Sequence, residues 1–241
     1  MGERIIQVVP DLKSLAVAAA ERIIEMSDDA KGRHESFSIA LSGGNTPKTL
    51  FELLATDEYS ERIDWNHWEI YWGDERCVPP NDPESNFGMA ARALLDHVPI
   101  PPQNIHRMKG ELDPQKAAIE YGQLLKEKFG DGGMNLILLG MGDDGHTASL
   151  FPHTEALKET KHRCVANFVP KMNVWRITMS APFINRAQEV IEMVAGASKA
   201  ARLEEVLHGP PKPDDFPVQM IDPVDGQMIW LLDAAAAGML E

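Results

Sequence analysis

Residues 135–152, NLILLGMGDDGHTASLFP, decide the fold. Leu136 to Leu139 form an unbroken apolar run, the pattern of a strand covered on both faces of a parallel sheet. Gly140, Gly142 and Gly145 then let the chain turn sharply where side chains would clash. Asp143, Asp144 and His146 therefore fall just beyond the carboxyl end of a central strand, where open α/β sheets bind ligands. The spacing of the three glycines also fits the dinucleotide fingerprint. Two carboxylates inside the turn would repel a pyrophosphate, however, and no acid stands about 20 residues on, near Val165, to read a ribose. Asp144 and His146 either hydrogen-bond within their own turn or form an acid-histidine pair at a strand end.

The whole chain sets outer bounds on this stretch. Its 241 residues, 44% of them apolar, suit one large α/β domain. A net charge of −14 with no basic arm or Lys/Arg run argues against nucleic acid, so positive charge for an anionic substrate must be local. Cys77 and Cys164 have no metal-ligand spacing, and no signal peptide or membrane span is read, so the expectation is a cytoplasmic protein without a membrane partner.

Upstream, Leu12, Leu15, Ala16, Ala19 and Ile23 recur at helical spacing after the short Ile5 to Val9 run. Phe37 to Leu41 predicts a buried strand ending in Ser42-Gly43-Gly44-Asn45-Thr46-Pro47, with helix formers from Lys48 to Ala55. Thr46 fits the N-cap and Pro47 the first helical position. This is either a tight turn without a ligand or an anion cradle of backbone amides and a hydroxyl at a positive helix end. Trp68 to Trp72 predicts the next strand, followed by Gly73-Asp74-Glu75-Arg76 and a helix beginning near Glu84. Arg76 either pairs with Asp74 or Glu75 in solvent or points into the same crevice as His146. Asp113 and Pro114 start a crossover helix with Ala117, Ala118, Tyr121, Leu124 and Leu125 on one face.

Downstream, Val174 to Ser180 alternates as a strand, with Arg176 in its interior, where the guanidinium needs an anion or a carboxylate. Val190 to Ala195 is a further strand, and Lys199 lies in the first turn of a helix from Ser198 to His208. A cation there opposes the helix dipole by about 0.3–1 kcal/mol, unless it shares an anion with the helix amides or points into solvent. Pro210 to Pro217 is a loop, Gln227 to Asp233 the last strand, and Ala234 to Ala237 reads as helix.

Four segments, LSGGNTPKTL, WGDERCVPPNDPESN, LGMGDDGHTASLFP and Arg176 with GASK at 196–199, together resemble the lactonases of the glucosamine-6-phosphate isomerase and 6-phosphogluconolactonase superfamily. The resemblance spans nearly the full length. It implies a three-layer, Rossmann-like α/β fold with a mostly parallel sheet flanked by helices, as one domain of that family over residues 1–241. It also implies a monomer or homodimer with neither metal nor cofactor, hydrolysing 6-phospho-D-glucono-1,5-lactone to 6-phospho-D-gluconate in the oxidative pentose phosphate pathway. By this resemblance the substrate phosphate lies on Ser42, Gly43, Gly44 and Thr46, with charge from Arg176 and Lys199 and with Lys48 nearby. His146 becomes the general base and Asp144 its partner. Arg76 faces the developing carbonyl charge, and Asp74 corresponds to the proton-abstracting residue of the sibling isomerases. Those isomerases carry a glutamate five residues after the histidine, where this chain has Phe151. The competing expectations are an isomerase of the same superfamily and a sugar-phosphate sensor. No basic helix-turn-helix accompanies the chain to serve a sensor.

Overall fold

Strands and helices alternate along the computed structural model, which describes residues 3–240. In order they are β1 (Glu3–Val9), α1 (Leu12–Gly32), β2 (Phe37–Leu41), α2 (Asn45–Leu54), α3 (Asp57–Ser60), β3 (Trp68–Trp72), β4 (Asp74–Arg76) and α4 (Asn86–Ala93). Then follow α5 (Pro114–Phe129), β5 (Leu136–Gly140), β6 (Cys164–Val169), β7 (Val174–Met179), α6 (Ala181–Ile184), β8 (Glu189–Val194), α7 (Ala200–His208) and β9 (Gln227–Asp233).

Six strands form one sheet in the order β1-β9-β8-β5-β2-β3, with every pairing parallel. Parallel neighbours require crossovers that cover both faces, which is why β2 and β5 are apolar almost throughout. Alternate residues of each strand feed two separate cores. Ile39, Leu41, Leu136, Leu138, Ile191 and Met193 face the layer built by α1 to α4. Ile137, Leu139, Val190, Val194, Met228 and Leu232 face the layer holding α5, α6, α7 and strands β6 and β7. Leu136 to Leu139 are all fully buried, each contributing about 1.5–3 kcal/mol by leaving water. From β2 the chain proceeds to β3 on one side, whereas β5, β8 and β9 run away on the other. The reversal between β2 and β5 is the switch point at which such sheets leave a crevice.

Several expectations change. β7 does not join the parallel sheet. It is the middle of a separate three-stranded antiparallel sheet, β4-β7-β6, whose first strand is the Asp74–Arg76 segment. Strand β6 had no clear sequence signature, because its burial alternates irregularly. The N-cap of α2 is Gly44 at φ 101°, not Thr46, so Thr46 and Pro47 lie inside the helix. A left-handed cap is where glycine costs least. The helix expected near Glu84 begins at Asn86 and is capped by the Ser85 hydroxyl, which accepts from the Gly88 amide. A single 3₁₀ turn, Ala197–Lys199, precedes α7. Ala234 to Ala237 is a turn rather than a helix, since the Asp233 carboxylate takes the Ala236 amide and closes the chain on itself. No helix among the described residues is long and apolar enough to cross a membrane.

Candidate active site

Four adjacent strands, β8, β5, β2 and β3, end at one cleft of about 390 Å³. After β2 come Ser42, Gly43, Gly44 and Thr46. After β3 come Asp74 and Arg76, after β5 His146, and after β8 Lys199. All eight of these expected residues line the same cavity.

The glycine loop opens directly into α2, whose Gly44 cap has no side chain to satisfy the first amides of the helix. Those unclaimed donors and the positive helix end make an anion seat. Lys48 is outside it. One turn into α2, its side chain is exposed and reaches Glu52 at 3.5 Å on the outer face of the helix.

The β5 turn folds back on itself. The Gly142 amide donates to the His146 carbonyl at 2.8 Å and the Gly145 amide to the Gly142 carbonyl at 3.0 Å. Gly142 is required here, because a Cβ would stand 2.1 Å from His146 Nδ1. Asp144 lies behind the imidazole rather than on the cavity wall. Its Oδ1 is 2.5 Å from His146 Nδ1 and also accepts the His146 amide at 3.3 Å. That hydrogen bond with the imidazole, partly opposed by burial, brings the Asp144 carboxyl down to about 2. Asp144 therefore stays anionic throughout the working range, and its bond engages Nδ1 and not Nε2 of the ring. Phe151 stacks on the other face of the ring, centroids 4.1 Å apart and planes inclined by 23°. The bond between Asp144 and His146 satisfies both sequence expectations at once: it is local to the turn and it orients the ring.

Asp74 is 7% exposed. Its Oδ2 accepts from the Ser149 hydroxyl at 2.6 Å and its Oδ1 from Asn86 Nδ2 at 3.2 Å. Arg76 points into the cleft, and its guanidinium donates to the Glu84 carbonyl at 2.6 Å. It makes no ion pair with Asp74 or Glu75. Glu75 instead accepts the amides of Arg76, Asn86 and Phe87 and the Ser85 hydroxyl, fastening the Asp74–Arg76 segment to the start of α4. Lys199 lies 2.5 Å from Asp143, which holds that carboxyl below the usual range. Lys171, at the tip of the β6-β7 hairpin, comes within 3.7 Å of Asp144 Oδ2.

Arg176 is not on this wall. It lines a neighbouring cleft of about 440 Å³ with Cys77, Glu84 and Trp175. Because Arg176 is the cross-strand partner of Arg76, the two guanidinium groups share one face of the small sheet. Burial and then Arg76 push the Arg176 group below its usual value, and among the described residues no carboxylate forms an ion pair with it. The half-buried guanidinium instead donates to the Trp175 carbonyl at 3.2 Å.

Asn86 and Ser149 were missed. Asn86 touches the glycine loop so closely that a Cβ on Gly43 would stand 1.9 Å from its Oδ1, and both residues hold Asp74. The S-N pair at 85–86 before a helix was the available signal, and it announced only a cap.

A family model described as glucosamine-6-phosphate isomerases/6-phosphogluconolactonase matches residues 10–230. The chain belongs to this family. It is 41% identical to a 6-phosphogluconolactonase of Nostoc sp., covering 99% of both chains, and 45% identical to one of Synechocystis sp. over 83% of this chain and 82% of that one. The solved structure of 6-phosphogluconolactonase from Trypanosoma brucei superposes with a TM-score of 0.86 at 28% identity, over the full length of both chains. The family thus accounts for the parallel sheet with its covering layers, as well as for the order of the four strand-end segments.

Proposed function

We propose that this chain is a 6-phosphogluconolactonase, hydrolysing 6-phospho-D-glucono-1,5-lactone to 6-phospho-D-gluconate in the oxidative pentose phosphate pathway with water activated by His146. The observation that carries this is the Asp144-His146 pair, its imidazole facing a cleft whose other walls are an uncapped helix start, Arg76 and Lys199. The names of the family relatives support the substrate.

The phosphate sits on the first amides of α2 with Ser42 and Thr46, and Lys199 exchanges part of its contact with Asp143 for the phosphate. Arg176 adds field from behind Arg76. His146 Nε2 takes a proton from water as the water oxygen bonds to C1. The negative charge that develops on the carbonyl oxygen is met by Arg76. As the tetrahedral species collapses, the bond from C1 to the ring oxygen breaks, and that oxygen takes the proton back from His146. The product carries a C1 carboxylic acid, ionised at neutral pH, and a free C5 hydroxyl. Asp144 keeps the imidazole in the required tautomer and stabilises its charged form in between. No covalent enzyme intermediate is needed, since a lactone is already an activated ester. Asp74 takes no proton in these steps; it accepts from Ser149 and Asn86 and thereby ties together the loops on both sides of the cleft.

An isomerase is disfavoured by Phe151, which lies flat on His146 at the position where the siblings carry a ring-opening glutamate. The deciding experiment is titration of the acid released from freshly prepared lactone, with the spontaneous rate subtracted. Release above that rate, lost in His146→Asn, is expected. A protein that leaves the spontaneous rate unchanged overturns the proposal.

A further inference from the structure

Glu192 is a carboxyl group in the middle of the central sheet, and none of the steps above uses it. It is 0% exposed and sits on β8 between Leu139 of β5 and Trp230 of β9, with Val190 and Val194 before and after it on the same face. Among the described residues, the only side chain bonded to it is Thr147, whose hydroxyl lies 3.2 Å from Oε2 and 3.5 Å from Oε1 and is itself 0% exposed. No Lys, Arg or His among the described residues pairs with it. Burial raises its carboxyl to about 8, against the pull of Thr147, so that it is mainly a neutral acid at neutral pH.

Thr147 directly follows the base, and the turn pivots on it. Its backbone bridges to both Met141 and Leu150, and its carbonyl accepts the Leu150 amide at 2.9 Å. The next residue, Ala148, is held at φ 47°, a conformation that a non-glycine residue adopts at a cost of about 1–2 kcal/mol and keeps only where its surroundings dictate it. On one side of this pivot His146 projects into the cleft. On the other, Ser149 reaches Asp74.

We infer that Glu192 is a positioning residue for His146, anchoring Thr147 to the floor of the sheet so that the imidazole meets both Asp144 and the cleft. Rotation at the pivot would move the ring and Ser149 together, and displacements of about 1 Å at a reacting group cost up to roughly 100-fold in rate. A residue that merely satisfied the buried Thr147 hydroxyl would have a different signature: removing both polar groups together can leave stability nearly unchanged, and kcat would then stay unchanged with it.

The inference rests on the lactonase reading for its kinetic arm only. Glu192→Gln, which keeps the hydrogen bond, is compared with the double variant Glu192→Leu/Thr147→Val, which removes both partners. Expected for Glu192→Gln is kcat within about twofold of wild type. Expected for the double variant, at wild-type melting temperature, is kcat lower by about tenfold or more with KM unchanged within about twofold. In the same samples the His146 ring nitrogen shifts report the tautomer and its bond to Asp144 without any substrate. They should change in the double variant and not in Glu192→Gln. A folded double variant with wild-type kcat and unchanged ring shifts overturns the inference. Absence of lactonase activity in the wild type would overturn the proposed function instead, leaving the ring shifts to decide the role of Glu192.

Discussion

At the scale of single residues, the proposed chemistry turns on one imidazole held between a carboxylate and a phenyl ring. His146→Asn should lower kcat by roughly 10²–10⁴ with little change in KM, the usual loss for a general base. The rise of wild-type kcat/KM with pH on the acid side should vanish in that variant. Asp144 cannot be the source of that limb, because its carboxyl is held at about 2 and is ionised before the limb begins. Asp144→Asn should reduce kcat less than His146→Asn does, by leaving the ring misoriented. Steady-state kinetics from pH 5 to 9 check both. If Asp74→Asn abolished turnover while His146→Asn kept it, the base would be Asp74.

Glu192 gives a second residue-scale expectation, in stability. Its carboxyl is raised from an ordinary 4.5 to about 8, so the folded state binds a proton that the unfolded state releases between those values. Stability from this group is fully present below pH 4.5 and is lost as pH rises towards 8. Glu192→Gln cannot ionise. Its melting temperature relative to wild type should therefore increase from pH 5 to pH 8, and a difference independent of pH in thermal unfolding would mean that Glu192 is not a buried neutral acid.

At the scale of elements, the cleft is built by strand ends and tightened by contacts between layers. The two cations proposed to act on the phosphate, Lys199 and Arg176, come from two different elements. Lys199→Ala should raise KM by roughly tenfold to a hundredfold, the equivalent of a charge-assisted hydrogen bond, while kcat changes little, because the phosphate is the same in ground and transition states. Arg176→Ala should raise KM less, since Arg176 faces the neighbouring cleft and acts through the field behind Arg76. Inorganic phosphate should compete with substrate in the wild type and more weakly in Lys199→Ala. On the far side of the sheet, Arg22 of α1 grips Glu189 at the start of β8 through three contacts of 2.5–3.1 Å, and Glu189 is 2% exposed. Arg22→Ala leaves that carboxylate buried without a cation. It should cost about 2–3 kcal/mol in denaturant unfolding, less than the 3–5 of a fully buried pair because Arg22 stays partly solvated.

At the scale of the whole molecule, a chain of −14 must attract an anion to one spot. The net field opposes encounter and the local cations favour it, and added salt screens both. A modest dependence of kcat/KM on ionic strength is expected, whereas a steep fall would mean that the field of the cleft dominates the approach.

The sequence by itself determined what depends on neighbours along the chain. The runs at 37–41, 68–72 and 136–139 are strands within a residue of their expected ends, because each is a short, mostly apolar run bounded by turn residues. The glycine turns after them follow from backbone sterics, and the Asp144-His146 bond follows from a separation of two residues. What only the tertiary structure decided is whatever depends on strand order and on which layer a segment joins. Arg176 was legible as a strand-interior cation in need of an anion or a carboxylate, yet its side of the wall was fixed by an antiparallel pairing with Arg76, 100 residues away in numbering, that no local pattern encodes. Lys199 meets Asp143 across 56 residues, and Asp74 meets Ser149 across 75. Glu192 falls inside the Val190 to Ala195 run, and only the parallel register of β5 and β8 puts it beneath Thr147. Local sterics act over one turn of chain, whereas these contacts exist only after the crossovers have buried both faces of the sheet and fixed which strands are neighbours.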